Sequence, residues 1–431
     1  MSKELNQQAI DILRKNDRSG YTVPTARLYP YQWNWDSAFV ALGFSTFDRD
    51  RAWRELELLL EGQWASGMIP HILFRQNDPD YFPGPSVWQT PTHEGGGGLM
   101  PTGGISQPPV FASIVRTMLE DGGDDERAQQ FFEPLLNWHR WYHRERTPKD
   151  YLTVATVHPW ETGRDNCPDW EIGLASMGID PNIETYERKD TSHIDPSMRP
   201  SKDQYDKYVT MIKFGRDQGW DQKTITNGGP FVMADPGLHF ILLRADRDLL
   251  AIAKRFNRQD SVSEIEGWIE QGLAGTNTLW NETLGAFCAR DVRSGEFSNG
   301  FSSASALCFY ADAGSVEQRK RTMENLNRIA SEVKFMMPSW DPDADMFEPQ
   351  RYWCGPVWPQ MNHIISKGLA EQGEYEMADR IRGDLAALIK QSGFFECFNP
   401  ITGEGCIGSD FSWTAAMWLA WASPNRSAAA A

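Results

Sequence analysis

The sequence predicts an all-α fold built from two kinds of helix. Helical periodicity recurs along most of the 431 residues, whereas strand signals are few. Charged amphipathic segments such as 315–333 and 374–391 alternate with more apolar ones that follow Gly-, Pro- and aromatic-rich loops. Because an apolar helix is buried on most sides and an amphipathic helix has one wet face, this pattern favours inner helices surrounded by outer ones. A twelve-helix (α/α)6 toroid would use about 36 residues per helix with its loop, but a generic helical bundle fits almost as well.

Each predicted helix is marked by its apolar spacing and by residues that start or stop helices. Asp or Ser precedes several of them as an N-cap, and Gly or Pro separates many from the next. The segments predicted as helices are 50–65, 108–120, 126–144, 237–256, 260–282, 315–333, 356–371, 374–391 and 412–422.

Residues 145–230 interrupt this helical pattern with a long polar stretch rich in Asp, Tyr and Lys. A long loop inside a compact domain is usually a lid or a substrate loop. We therefore predict a single domain over residues 1–431, with 145–230 inserted between helices as a loop or lid.

Charge and composition exclude several classes of function. The net charge of −17 and the lack of a Lys/Arg-rich run argue against nucleic acid or an anionic membrane as a partner. The N-terminus is charged and amphipathic, and no apolar stretch is long enough to cross a bilayer, so we expect a soluble, cytoplasmic protein. A homo-oligomer is compatible with the sequence.

Neither a disulfide framework nor a metal or other cofactor is expected. The eight histidines show no metal-ligand spacing, and the cysteines are scattered without a CxxC pair. In so long a chain they are better explained as reduced structural thiols. The cysteines are Cys167, Cys288, Cys308, Cys354, Cys397 and Cys406.

The aromatic content points to a sugar site. The chain has 18 tryptophans, about four per cent of its residues, and several stand beside Asp, Gly, Pro and Gln in short clusters. Core packing accounts for many of them. Flat rings next to carboxylates and amides also suit a sugar, which presents C–H faces as well as hydroxyls.

Two clusters lie in the first half of the chain. In YPYQWNWDS, residues 29–37, Asp36 could simply cap a helix, but the surrounding Trp, Tyr, Gln and Asn favour sugar contact. In HPWETGRDNCP, residues 158–168, Glu161 and Asp165 both stand near Trp. A general acid must stay protonated near neutral pH, which requires a desolvated position, and composition alone allows either acid.

Two further clusters lie near the C-terminus. In RYWCGPVWPQ, residues 351–360, a Gly-Pro step before a helix fits either close approach to a ligand or core packing. In GFFECFNPITGEG, residues 393–405, aromatic residues flank Glu396, whereas Glu404 between glycines is typical of an exposed turn. Two carboxylates facing a sugar pocket are the minimum equipment for glycoside hydrolysis.

Taken together, these clusters resemble glycoside hydrolase family 63, most closely its short bacterial mannosylglycerate and glucosylglycerate hydrolases. The resemblance is carried by YQWNWDSAF, HPWETGRDNCP, YWCGPVWPQMNH and FECFNPITGEG…FSWTAA, and it runs from about residue 29 to 413. It implies an (α/α)6 barrel with long inserted loops. It also implies Asp165 as general acid and Glu396 as general base, although Phe398 stands where more distant relatives often carry Tyr.

The resemblance further implies which side chains bind the substrate. The residues expected around the sugar are Trp35, Asp36, Trp160, Trp353, Gly355 and Trp358. Those expected nearer the glycerate are Tyr29, Trp33, Tyr81, Gln107 and Tyr352.

We therefore expect an inverting α-glycoside hydrolase that acts on a compatible solute, α-glucosylglycerate or α-mannosylglycerate. The negative net charge fits an anionic substrate poorly, so a local cation is needed, and Arg27, Arg75 and Arg164 are candidates. The alternatives are an α-glucosidase for glucosylglycerol, trehalose-like or other neutral glucosides, and a catalytically silent sugar-binding protein. Retention of both acids argues against the last.

Overall fold

The computed structural model describes residues 2–26, 28–76, 78, 81–90, 100–188 and 195–424. Its helices confirm the predicted all-α fold, and within the described part of the chain none is long and apolar enough to span a membrane. The helices are α1 (Ser2–Asn16), α2 (Asn34–Phe44), α3 (Arg49–Leu60), α4 (Pro85–Trp88), α5 (Phe111–Glu120), α6 (Asp125–Glu145), α7 (Glu171–Ala175), α8 (Lys202–Asp217), α9 (Gln222–Gly228), α10 (Pro236–Arg255), α11 (Gln259–Gly275), α12 (Leu307–Tyr310), α13 (Val316–Glu332), α14 (Pro359–Glu371), α15 (Tyr375–Ser392) and α16 (Ser412–Met417).

Six helices form a closed inner ring. Helix α2 packs on α5, α5 on α10, α10 on α12, α12 on α14, α14 on α16, and α16 returns to α2. Every residue of α2 and of α16 is buried, as expected for helices enclosed on all sides. The apolar segments of the sequence are therefore the inner helices of the barrel.

Outer helices pack against five members of the ring, and a sixth outer helix contacts the turn that leads into the remaining member. Helices α3, α6, α11, α15 and α1 pack on α2, α5, α10, α14 and α16 respectively, and α13 contacts the helical turn Ser303–Ala306 that leads into α12. In α13, only a narrow face is buried, and the remaining positions are mostly charged or polar. The alternation of charged and apolar helices in the sequence is the alternation of outer and inner layers.

Most predicted helices are present, and the differences lie at their ends. The segment predicted over 260–282 ends as a helix at Gly275, where a side chain would collide with the backbone of Leu152. The segment predicted over 356–371 begins at Pro359, whose missing N–H suits a first helical turn. The segment predicted over 412–422 changes from α16 into a π-helical turn at Trp418–Ala422.

The interruption over residues 145–230 is less loop-like than predicted. It connects outer helix α6 to inner helix α10 and contains α7, α8 and α9. Helix α8 begins with a capping box, in which Ser201 and Gln204 each accept a hydrogen bond from the other's backbone N–H. Its apolar positions alternate with Asp and Lys, which concealed the helix in the sequence.

Short antiparallel strands pair segments of the loops between the helices. One pair precedes α2 and α5, a three-stranded sheet anchors the segment before α10, and a hairpin precedes α16. The strands are β1 (Gln32–Trp33), β2 (Ile72–Leu73), β3 (Ala155–Thr156), β4 (Met233–Ala234), β5 (Trp280–Asn281), β6 (Ala286–Phe287), β7 (Arg290–Asp291), β8 (Phe395–Phe398) and β9 (Gly405–Ser409).

Candidate active site

Loops that lead into the inner helices surround a cavity of about 460 Å³. This volume lies in the usual range of small-molecule pockets. Ten of the thirteen residues singled out in the sequence line the cavity, although they come from six separate segments of the chain. They are Tyr29, Trp33, Trp35, Asp36, Tyr81, Gln107, Trp160, Asp165, Tyr352 and Glu396.

The two predicted catalytic acids come from distant parts of the chain, and backbone contacts hold each of them. Glu396 lies on β8, and its carbonyl accepts a 2.9 Å hydrogen bond from Trp413 Nε1. Asp165 lies between two 3-10 turns, and its carbonyl accepts a 2.7 Å hydrogen bond from Tyr208 Oη. The surrounding fold therefore holds the backbone at each acid.

Both acids have strongly raised pKa values. Desolvation raises the pKa of Asp165 to about 7 and that of Glu396 to about 7, and the positive charge of Arg199 offsets part of each shift. Tyr29 Oη donates a 3.2 Å hydrogen bond to Glu396 Oε1, which favours the carboxylate form of Glu396. Oε2 of Glu396 is buried and has no hydrogen-bond partner of ordinary geometry in the described part of the chain.

A third carboxyl, that of Asp36, faces the same cavity from the first turn of α2. Burial and then the charge of Glu396 raise the pKa of Asp36 well above its usual range. Three neighbouring carboxyl groups cannot all be ionised in a desolvated site. We therefore expect protonated carboxyl groups here near neutral pH, able to donate hydrogen bonds.

The walls of the cavity combine rings with amide and hydroxyl groups. The oxygen of the Gln107 amide accepts the Trp35 backbone N–H at 3.2 Å, so the amide nitrogen remains to donate to a ligand. Gly163 has a φ of +66°, and a side chain there would meet the ring of Trp35 at 2.4 Å. Glycine at this position lets the acid-bearing loop approach the ring wall closely.

The cavity is lined by a cation that the sequence did not single out, Arg199. Arg199 lines the cavity, donates a 3.1 Å hydrogen bond to Tyr29 Oη, and lies 4.3 Å from the ring centre of Tyr352. Tyr205 lines the cavity beside it. Both come from the polar stretch before and within α8, where no local pattern marks a ligand site.

Two of the three arginines proposed from the sequence, Arg75 and Arg164, do not line the cavity. Arg75 bonds to Gln32 and Glu61 outside the cavity lining. Arg164 is buried, with its guanidinium 2.5 Å from Asp169 and 2.6 Å from Asp235. Arg27 lies outside the described residues.

The structure also separates the alternative acids. Glu161 is fully buried, and Arg146 binds its carboxylate at 2.8–3.0 Å, away from the cavity lining. Glu404 is exposed and contacts Gln350 and Thr402. Asp165 and Glu396 are therefore the acids of these two sequence clusters that line the cavity.

Three predicted binding residues lie behind the cavity rather than on its lining. Trp353 and Trp358 are stacked with ring centres 3.9 Å apart, and the Trp353 ring contacts that of Trp35 at 6.3 Å. A side chain at Gly355 would collide with the Glu348 carbonyl, so this glycine serves close backbone packing. Their predicted contact with the sugar stays a prediction.

The arrangement suits acid–base chemistry on a sugar, whose ring carries no charge. Two carboxyl groups with pKa values near neutral can supply one protonated acid and one ionised base in the same cavity. Rings and amides provide contact with a sugar, and Arg199 provides a positive charge. Within the described residues, His, Cys, Asp and Glu side chains form no group that could hold a metal ion.

Comparison with known proteins agrees with this chemistry. The family model of the mannosylglycerate hydrolase MGH1-like glycoside hydrolase domain matches residues 29–414. Mannosylglycerate hydrolase MGH1 of Selaginella moellendorffii is 42% identical over 95% of this chain and 84% of its own length. Glucosylglycerate hydrolase of Mycolicibacterium hassiacum is 32% identical over 97% of each chain.

A solved structure extends the likeness to the whole fold. The GH63 mannosylglycerate hydrolase of Thermus thermophilus, in complex with Tris and D-glycerate, superimposes with a TM-score of 0.91 at 39% identity. The match covers 97% of this chain and 99% of that one.

Proposed function

The chain belongs to the MGH1-like family of glycoside hydrolases, and from this we propose that it hydrolyses an α-glycoside of glycerate. The proposed substrates are α-mannosylglycerate and α-glucosylglycerate, cleaved to free hexose and glycerate. The observation that carries the proposal is that Asp165, Glu396 and Arg199 line the same small cavity. Acids alone would suit any glycoside, whereas the arginine adds a partner for the glycerate carboxylate.

The proposed reaction is a single displacement with inversion. Protonated Asp165 donates its proton to the glycosidic oxygen as the bond to the anomeric carbon breaks. Glu396 accepts a proton from a water molecule that attacks that carbon from the opposite face. For this geometry we expect the two carboxyl groups to lie about 6.5–9.5 Å apart, because a retaining pair would stand at about 5 Å.

Arg199 would hold the carboxylate of the glycerate. It lies beside Tyr29, which contacts Glu396, so an anion bound there would sit near the reacting centre. One buried arginine in the cavity is enough to reconcile an anionic substrate with the net charge of −17. Because Arg199 and Tyr205 come from the insertion, we propose that residues 145–230 form part of the substrate pocket within one catalytic domain over 1–431.

We also propose a cytoplasmic location. All six cysteines are free thiols in the structure, and reduced thiols are usual in that compartment. Fractionation of the native host, with the thiols titrated in the isolated protein, tests this part of the proposal.

The function is tested by measuring hexose release from mannosylglycerate, glucosylglycerate, glucosylglycerol and trehalose, with product anomers followed by NMR. We expect turnover of one or both glycerate glycosides and initial release of the β-anomer from an α-substrate. Faster hydrolysis of glucosylglycerol or trehalose would favour the neutral α-glucosidase instead. Initial release of the α-anomer would contradict inversion.

A further inference from the structure

One wall of the cavity is a row of rings that contains an imidazole. Successive ring centres lie 6.1 Å apart from Tyr29 to Trp33, 5.5 Å from Trp33 to His71, and 4.9 Å from His71 to Trp88. All four side chains line the cavity. His71 is the member of this row whose ring carries two nitrogens, and the mechanism above does not use it.

The surrounding fold fixes the position of the His71 ring. Its backbone N–H donates to the Ile105 carbonyl at 2.9 Å, and its carbonyl accepts from the Asn34 N–H at 3.0 Å. A side chain at Gly103 would lie 1.9 Å from Cε1 and 2.3 Å from Nδ1 of His71. The ring is thus held between two indoles with the backbone of Gly103 against its Cε1–Nδ1 edge.

This packing separates the two ring nitrogens. Nδ1 is buried and makes no hydrogen bond of ordinary geometry within the described chain. A side chain at Gly103 would lie 2.3 Å from Nδ1 but 3.2 Å from Nε2, and His71 lines the cavity, so we infer that Nε2 is the ring nitrogen nearer the cavity. Burial, and then nearby His158, lower the pKa of His71 to about 3, so the imidazole stays neutral at ordinary working pH.

We propose that Nε2 of His71 hydrogen-bonds a hydroxyl group of the bound hexose and thereby contributes to substrate specificity. This inference rests on the proposed function and adds a residue to its substrate pocket. The hexose is assigned because Arg199 contacts Tyr29 at one end of the row, whereas Trp88 at the other end lies 6.4 Å from Trp160, a residue expected at the sugar. A group that hydrogen-bonds a hydroxyl discriminates strongly against a substrate that lacks it.

Two substitutions of His71 test which of its two ring nitrogens makes the contact. The amide of His71→Gln reaches the place of Nε2, whereas that of His71→Asn reaches only the place of Nδ1. We expect His71→Asn to lower kcat/KM on the preferred glycerate glycoside about tenfold and His71→Gln to lower it less than about threefold. His71→Phe keeps the ring without its nitrogens and should behave like His71→Asn, which provides a second variant if Asn impairs folding.

A buried histidine elsewhere provides the control. His239 on α10 contacts the Gly272 carbonyl of α11 at 3.0 Å through Nε2 and lies outside the cavity lining. His239→Asn should therefore change Tm without a comparable change in kcat/KM. Equal losses in kcat/KM from His71→Gln and His71→Asn would overturn the assignment of Nε2.

Substrate analogues identify the hydroxyl. With a series of monodeoxyhexosyl glycerates, one analogue should lose activity with the wild type but show no further loss with His71→Asn. If His71→Asn causes no further loss with a substrate that carries glycolate in place of glycerate, but does so with every deoxyhexose, the hexose assignment is overturned. Wild-type kcat/KM in both His71→Asn and His71→Phe would overturn the contact itself.

Failure of the proposed function can be told apart from failure of this inference. If the wild type hydrolyses neither glycerate glycoside, the proposed function is wrong. Binding of free glucose and mannose, followed as the shift in Tm, then tests His71 independently of turnover. Weaker binding by His71→Asn with retention by His71→Gln would support the contact, and equal binding by all three proteins would exclude it.

Discussion

Glu161, Asp165 and Asp169 are acids spaced four residues apart in one stretch of chain. Glu161 and Asp169 are each paired with an arginine, whereas Asp165 faces the cavity. Glu161 is bound by Arg146 and by the backbone N–H groups of Ser106 and Val157. Asp169 accepts hydrogen bonds from Arg164 and from Ser298. Asp165 opens onto the cavity, where Arg199 only partly offsets the rise in its pKa.

The comparison separates burial from pairing. A buried carboxylate with a dedicated cation and several donors serves the fold, because breaking that pair leaves an uncompensated charge. A carboxyl that is desolvated without such a partner has a raised pKa and can exchange a proton near neutral pH. We therefore expect the paired acids to control stability and the cavity acids to control turnover.

The largest expected effect is the loss of turnover when a cavity acid becomes its amide. Asp165→Asn and Glu396→Gln should each lower kcat at least about a thousandfold, because each removes the proton donor or acceptor of the reaction. Steady-state kinetics on the preferred glycerate glycoside measures this loss. Exposed Glu404→Gln is the matched control, and full activity in Glu396→Gln with an inactive Glu404→Gln would show that the base is misassigned.

The same two amides should leave the fold as stable as before, or more so. Their folded pKa values are raised, so each native carboxyl binds its proton more tightly than in the unfolded chain. Its contribution to stability therefore falls as pH rises from about 4 through about 7. At pH 8 we expect either amide to raise the free energy of unfolding by about 1–3 kcal/mol, measured by urea denaturation.

Glu161→Gln should have the opposite effects: it should lower stability and leave turnover largely unchanged. It leaves the guanidinium of buried Arg146 without its carboxylate partner, so we expect the free energy of unfolding to fall by about 3–5 kcal/mol. The remaining folded enzyme should keep most of its kcat, assayed below the onset of unfolding. A stable Glu161→Gln protein without activity would contradict the division between the two groups of acids.

Arg199→Met should affect binding of the anionic substrate most. Loss of a charge-assisted hydrogen bond should raise KM for the glycerate glycoside about 10–100-fold, with a much smaller change for neutral glucosylglycerol. Arg216→Met, on α8 but outside the cavity lining, is the control. An equal loss on charged and neutral substrates would mean that Arg199 acts by organising the site rather than by binding the anion.

The smallest expected effect is a shift of the pH profile. Activity should rise as Glu396 ionises and fall as Asp165 ionises, and pKa values of about 7 for both predict a narrow maximum of kcat/KM near neutral pH. Tyr29→Phe removes a hydrogen bond that stabilises the Glu396 carboxylate, so the acidic limb should move up by about half a pH unit. A downward shift of that limb would show that Tyr29 favours the protonated form.

Local patterns in the sequence determined the helical layers and much of the cavity. The contrast between apolar segments and charged ones followed from how much of each helix is buried, so it could be read without coordinates. Clusters of aromatic residues with Asp, Glu and Gln marked Asp36, Asp165 and Glu396 because rings and carboxyls recur together over a few residues. The family resemblance then distinguished Asp165 from Glu161.

Tertiary structure decided which charged groups meet. Arg164 stands in an aromatic cluster of the sequence and Arg199 in a polar stretch, but Arg164 is bound by Asp169 and Asp235, whereas Arg199 lines the cavity. The same holds for His71, which reaches the cavity wall through the pairing of β1 with β2. Pairing and desolvation depend on segments distant in the chain, and these contacts, rather than residue type, determine whether a buried charge stabilises the fold or faces the ligand.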